Sequence, residues 1–361
     1  MATLTGGTAL AERPTDAVWL ATLPAPLTTV RPATAAGRPQ TLLPAVRAAA
    51  SVQRIARLAQ GELSGLPGAV TDLAVSRDGR HLVAAHYGED AVSIVDTATL
   101  EVAATVSGIA EPYAVVAADR AYLKSALIRE DIVVAVDLAA GTPLAAREVG
   151  VGAAGLALSP AGDVLYVARS ADAVTDIAVI DVESGALRSI PVVRGPEASI
   201  DSLRINPAGT RLYAALSTAA GGSLVTVDIR SGRVQTVAVG ASIGDVALHR
   251  DDRRVFVTVW DDDLGAALRV VDTGRVVGSY ALDGQPAGLL VTGAEVLLAH
   301  GETVTVLDAA SLRTVNRIDL GKPVSCLAVS RDGTRLYVGG FDGTVTALEM
   351  RAARAGLPAA S

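Results

Sequence analysis

Beyond residue 50 the apolar positions recur with a period of two, in short runs that end on an acid. Val92-Ser93-Ile94-Val95-Asp96 is one example, and equivalent acids fall at Asp137, Asp181, Asp228, Asp272, Asp308 and Glu349, in steps of 41, 44, 47, 44, 36 and 41 residues. Period two is a strand pattern, because successive strand side chains point to opposite faces, and no stretch here sustains a long helical period. A second marker precedes four of these runs. Leu73-Ala74-Val75-Ser76-Arg77-Asp78-Gly79 returns letter for letter at Leu327–Gly333, with weaker copies at Leu156–Gly162 and Leu203–Gly209. Each copy reads as strand, tight turn, strand, with Asp or Pro and then Gly meeting the turn's dihedral demands.

Seven copies of a unit of about 42 residues predict an all-β fold, a seven-bladed β-propeller of four-stranded antiparallel blades. In the first blade the strands are expected at Val70–Ser76, His81–His86, Ala91–Asp96 and Glu101–Val106. The last blade reaches its third strand near Met350 and lacks a fourth. Ser51–Leu58 resembles the fourth strand Thr314–Leu320, so it is expected to pair with the last blade and close the ring from the N-terminal side. The expected division is a Pro-rich, largely irregular leader at 1–50, the propeller at 51–350 and a tail at 351–361.

Composition narrows the function. Only 3% of residues are aromatic, so Val, Leu, Ile and Ala must fill the core, and the net charge of −7 argues against a nucleic-acid partner, which needs a basic footprint. The single cysteine, Cys326, leaves no internal disulfide and no cysteine-based zinc site. The N-terminus lacks a basic segment before an apolar one, and Pro24 and Pro26 break its best apolar stretch, so no signal peptide or membrane span is expected. A cytoplasmic, monomeric propeller is expected, with the cell envelope or export as the alternative if the true start lies upstream.

Ser330-Arg331-Asp332-Gly333-Thr334-Arg335-Leu336-Tyr337-Val338, with partial copies Leu165-Tyr166-Val167 and Leu212-Tyr213-Ala214, resembles the YVTN-type repeat of surface-layer and YncE-like propeller proteins. The resemblance covers about residues 51–350, although the Thr-Asn that should follow Tyr-Val does not appear. Repeats of the WD type match less well, since Gly-His and Trp-Asp dipeptides do not recur. The resemblance implies a cytoplasmic or envelope-associated binding scaffold. Propellers of similar architecture include lactonase-like hydrolases, cofactor-dependent dehydrogenases and a DNA-binding protein, but none of their catalytic motifs can be placed on this chain.

Four features carry candidate chemistry. Gly150-Val151-Gly152-Ala153-Ala154-Gly155 fits the dinucleotide expression G-x-G-x-x-G, but a strand rather than the required helix is expected to follow. Trp260-Asp261-Asp262-Asp263 is the densest acidic cluster, offering oxygen ligands to a divalent cation or a recognition surface beside an exposed ring. His86 and His300 end second strands just before loops, where packing competes with catalysis. Asp72, Tyr113, Gly155, Ser202, Asp245, Gly288 and Cys326 share one position on the innermost strands, near the channel mouth. There Asp72 and Asp245 either set a field for a cation or cap neighbouring strands.

Alignment of the blades gathers acids on one face. The loops between second and third strands carry Glu89, Asp90, Glu130, Asp131, Asp172, Asp176, Asp261, Asp262, Asp263, Glu302 and Asp342, against Arg129 and Arg169, and the opposite turns are mixed. The function expected is a non-enzymatic interaction scaffold that binds a basic protein or peptide, or a cation, on this acidic face. The alternative is a lactonase-like hydrolase or metal-assisted enzyme at the channel mouth. No cofactor is expected beyond such a cation.

Overall fold

A computed structural model of the chain describes residues 59–350, apart from 127–129, 172–173, 196 and 285. Within them lie twenty-eight strands and one turn of 3₁₀ helix at Tyr87–Glu89. Each blade has strands A to D from the inside outward. Blade 1 is β2 (Asp72–Val75), β3 (His81–His86), β4 (Ala91–Asp96) and β5 (Glu101–Ser107), within two residues of the sequence expectation at every boundary. Blade 2 is β6 (Tyr113–Ala117), β7 (Arg120–Ala126), β8 (Asp131–Asp137) and β9 (Thr142–Gly150); blade 3 is β10 (Ala153–Leu158), β11 (Val164–Ser170), β12 (Val174–Asp181) and β13 (Leu187–Arg194). Blade 4 is β14 (Ser199–Ile205), β15 (Arg211–Thr218), β16 (Gly221–Asp228) and β17 (Val234–Gly240); blade 5 is β18 (Ser242–Leu248), β19 (Arg254–Asp261), β20 (Gly265–Asp272) and β21 (Arg275–Ala281). Blade 6 is β22 (Gly288–Thr292), β23 (Glu295–His300), β24 (Thr303–Asp308) and β25 (Thr314–Asp319).

Blade 7 is β26 (Val324–Val329), β27 (Arg335–Gly340) and β28 (Val345–Glu349), and its outer strand is β1 (Ala59–Leu63), antiparallel to β28 with Leu63 opposite Val345. The ring is therefore closed by an N-terminal strand, which shields the β28 edge that would otherwise be an open template for aggregation. That strand follows directly on the expected Ser51–Leu58, which lies outside the described residues. Lys322 Nζ of blade 7 pairs with Glu62 Oε2 of β1 at 2.8 Å. The innermost strands touch in cyclic order, β2, β6, β10, β14, β18, β22, β26 and back to β2.

The core consists of seven apolar layers, one between each pair of neighbouring blades. Leu82 and Ala84 of β3 pack toward blade 7 with Tyr337 and Val345, while Val83 and Ala85 pack toward blade 2 with Val115 and Leu123. Both faces of the B strands are thus buried, which is why these strands read as unbroken apolar runs. Outer D strands bury little, as in β9, where seven consecutive residues are exposed.

The repeat markers are hydrogen-bonding turns. In the A–B turn the Ser76 hydroxyl donates to Asp78 at 2.6 Å and accepts the His81 amide at 3.0 Å, and Ser330 treats Asp332 and the Arg335 amide in the same way. The serine hydroxyls and then the Arg80 and Thr334 amides hold Asp78 and Asp332 down to about 2. The acids ending the C strands accept amides two or three residues on, such as Ala98 and Thr99 on Asp96, closing the C–D hairpin. Arginines tie blades together: Arg335 reaches the Thr97 carbonyl, Arg254 that of Ala309, and Arg331 that of Arg77.

Candidate functional site

The A strands line the channel, and five of them, β6, β10, β14, β18 and β26, carry a register irregularity at the end nearer the D–A connections. A bulge re-aims side chains, and here it places polar groups at the mouth. Asp72 accepts the Leu73 amide at 2.8 Å and, across the blade boundary, the Val115 amide at 2.7 Å. Burial outweighs those bonds and raises its carboxyl above the usual range. Asp245 accepts the Ser202 hydroxyl at 2.7 Å, the Val246 amide at 2.8 Å and Arg204 Nη2 at 2.9 Å. Tyr113 is 45% exposed; desolvation by the channel walls pushes its phenol up, and Asp72, Asp245 and Asp201 add to the shift. Blades 1, 2, 4 and 5 therefore act on one another across the channel. Arg204 and Asp201 join this group without having been signalled by the sequence; the partner of Arg204, Asp245, lies on the next blade. Desolvation also raises the Asp201 carboxyl, bonded among the described residues to the Ser199 hydroxyl at 3.5 Å. Gly288 and Gly155 bring no side chain, and Cys326 is buried with its thiol pushed up by desolvation.

The two histidines are engaged in structure. His86 has no exposed surface; its Nδ1 faces the Gly68 and Ala69 carbonyls at 3.1 and 3.3 Å, and its Nε2 faces the Ser93 hydroxyl at 2.9 Å. Those partners assign Nδ1 the proton, and burial lowers the imidazole below its ordinary range. His86 thereby anchors the segment leading from β1 into blade 1. His300 repeats the device with the Thr305 hydroxyl at 2.8 Å, half-buried and likewise lowered by burial. In the G-x-G-x-x-G stretch, Gly150 and Gly152 have φ of +85° and +74°, a side chain at Gly152 would overlap the Ser170 carbonyl, and β10 follows in place of a helix.

On the B–C face several acids are already paired. Asp131 meets Lys124 at 3.3 Å and accepts the Ala153 amide, Asp176 takes Arg169 in a fork of 2.8 and 2.6 Å, and Asp261 pairs with Arg269. Asp261 also accepts the Asp263 and Leu264 amides, so it builds its loop, while Asp262 and Asp263 are exposed. Among the described residues no three of His, Cys, Asp and Glu are grouped to hold a metal ion. No helix among them is long and apolar enough to cross a membrane.

The rings are sorted by face. Tyr122, Tyr166, Tyr213, Phe256, Tyr280 and Tyr337 are buried, whereas Tyr87, Tyr113, Trp260 and Phe341 are 43–54% exposed. All four stand at the B–C and D–A end of their blades: Tyr87 and Phe341 in B–C loops, Trp260 one residue from the end of β19 and Tyr113 at the start of β6. The other large exposed apolar side chains are Val151 on the same face and Val102, Leu144, Leu187, Val277 and Val315 on outer D strands. Of the four rings, the sequence had singled out Trp260 and Tyr113; Tyr87 and Phe341 are added by the structure.

Comparison with known proteins bears on the fold. The WD40 family (WD domain, G-beta repeat) matches residues 315–346, from the outer strand of blade 6 to the third strand of blade 7, where no Trp-Asp dipeptide stands. The chain is similar to a solved chain of Kuenenia stuttgartiensis hydrazine synthase, with a TM-score of 0.70 at 23% identity over 80% of this chain and 97% of that one, a likeness of fold alone. It is 33% identical over 322 residues to the seven-bladed β-propeller protein Rv1057 of Mycobacterium tuberculosis, covering 77% of this chain and 81% of the relative. With seven four-stranded blades observed and a relative of that extent, the chain belongs to the seven-bladed β-propeller family.

Proposed function

We propose that this propeller is a non-enzymatic scaffold that takes a protein or peptide partner on the face formed by its B–C loops and D–A connections. The segregation of all four exposed rings to that face carries the reading. Aromatic side chains supply large contact area at low entropic cost, and a rigid ring of blades holds them in place before binding. The opposite face has no exposed ring among the described residues, and four of its arginines, Arg77, Arg254, Arg331 and Arg335, are engaged in holding neighbouring blades. The channel carboxylates Asp72 and Asp245 are occupied by amides, a hydroxyl and Arg204, which supports a binding role over acid–base chemistry at the mouth.

Capture from the native host with the wild-type chain, against a variant carrying Tyr87→Ala, Tyr113→Ala, Trp260→Ala and Phe341→Ala, tests this. A partner retained by the wild type and lost by a variant of unchanged melting temperature is the expected result. Retention of the same partner by both proteins overturns the assignment of this face.

A further inference from the structure

One part of the face has a composition of its own. Phe341, Tyr87 and Tyr113 belong to blade 7, blade 1 and the entry to blade 2, three successive positions around the ring. Contacts join them into one surface. A side chain added at Gly343 would meet the Gly68 carbonyl at 3.0 Å, and one at Gly68 would meet the Glu89 side chain at 2.6 Å. Tyr87 then donates its hydroxyl to Glu111 Oε2 at 2.9 Å, and the Glu111 amide donates to Asp90 Oδ1 at 2.9 Å, two residues from Tyr113.

The stretches that build this arc, residues 63–70, 87–91, 107–113 and 339–344, contain Glu89, Asp90, Glu111 and Asp342 and no Lys or Arg. Glu89, Glu111 and Asp342 are exposed. The nearest lysines are neutralised at home, Lys322 by Glu62 and Lys124 by Asp131. The Trp260 loop differs, because Arg269 already pairs with Asp261 beside it. An acidic rim around exposed rings suits ligand cations placed over the ring faces; the internal cation that acts on the Tyr113 end, Arg204, is itself paired with Asp245.

We infer that the Phe341–Tyr87–Tyr113 arc binds an extended basic segment of a partner protein, its guanidinium or ammonium groups stacked on the rings and balanced by Glu89, Glu111 and Asp342. The inference rests on the scaffold role proposed above and adds the chemistry of the partner and the sector that reads it. Arginine should outbind lysine, since its planar group stacks on a ring while still presenting hydrogen-bond donors to carboxylates.

The test is fluorescence anisotropy of the full chain with labelled ten-residue peptides of alternating Gly-Arg, Gly-Lys and Gly-Glu. The expected order is Arg over Lys, with no binding of the Glu peptide and a loss on the order of tenfold as salt rises from 50 to 500 mM. Tyr87→Ala and Phe341→Ala should each weaken the Arg peptide by about two- to fivefold, the scale of one exposed cation–π contact. Tyr87→Phe keeps the ring and should bind as wild type, which separates ring stacking from damage to the Glu111 bond. Glu89→Gln with Asp342→Asn should weaken binding and flatten the salt dependence, and Trp260→Ala should change nothing. No binding of the Arg peptide, equal binding of the Glu peptide, or a Trp260→Ala loss matching that of the arc variants overturns the inference. If the four-ring variant still loses the host partner while the peptides ignore the arc, the scaffold face stands and only its basic specificity fails.

Discussion

His86→Ala separates a structural histidine from a functional one. The imidazole is fully buried, with Nδ1–H shared between the Gly68 and Ala69 carbonyls and Nε2 accepting from Ser93. Truncation leaves two carbonyls and a hydroxyl short of a partner and opens a void that a water molecule can only partly fill. One unsatisfied buried polar group costs about 1–3 kcal/mol, so the variant should lose roughly 2–4 kcal/mol. With an unfolding entropy of about 2 cal/mol/K per residue, the propeller's melting temperature should fall by roughly 3–7 °C. His300→Ala removes a bond to one hydroxyl from a half-buried site and should cost about half as much. Differential scanning calorimetry at pH 7.5 gives the comparison. A His86→Ala protein that melts within about 1 °C of wild type would refute the closure role, because a loss of that size cannot hide in the measurement.

The remaining expectations concern pH, a strained glycine and the closing strand. His86 and His300 are both held below the ordinary histidine range by burial, so the unfolded chain takes up protons first; stability should be full above about pH 6.5 and decline toward pH 5. Thermal melts across that window should show the decline, and a His86→Ala, His300→Ala double variant should flatten it; an unchanged slope would mean other groups dominate. Gly152→Ala combines a φ of +74° with overlap on the Ser170 carbonyl, whereas Gly65→Ala has a φ of +78° in open space. Urea midpoints should show a loss of about 2–4 kcal/mol for the first and about 1 kcal/mol for the second, and equal losses would remove the packing explanation. Deleting residues through Leu63 strips β1 from β28, and light scattering after size exclusion should show higher-order species where the full chain shows fewer.

What could be read from the chain was whatever local hydrogen bonding writes into it. Ser76-Arg77-Asp78-Gly79 and its copy at Ser330 are visible because the serine, aspartate and glycine satisfy their own turn within five residues. The acids at Asp96, Asp137, Asp181, Asp228 and Asp308 are visible because each caps its own hairpin, and all five are held below the usual carboxylate range by those bonds. Such markers report architecture, and being engaged in it they say nothing of a ligand. The acidic tally of the B–C loops was legible too, but the pairing of Asp131 with Lys124, Asp176 with Arg169 and Asp261 with Arg269 was not, and it confines the unneutralised charge to part of that face.

The sequence alone determined seven blades, their strands and turns, and closure from the N-terminal side, since period-two alternation and turn chemistry are local properties repeated seven times. The tertiary structure decided which strand closes the ring, that Arg204 of blade 4 serves Asp245 of blade 5, and that Tyr87 and Phe341 stand outside while Tyr122 and Tyr337 are buried. The physical reason is that each of these depends on what the neighbouring blade presents. A tyrosine within a B strand is covered by the next sheet, and one just past the strand's end is left in solvent.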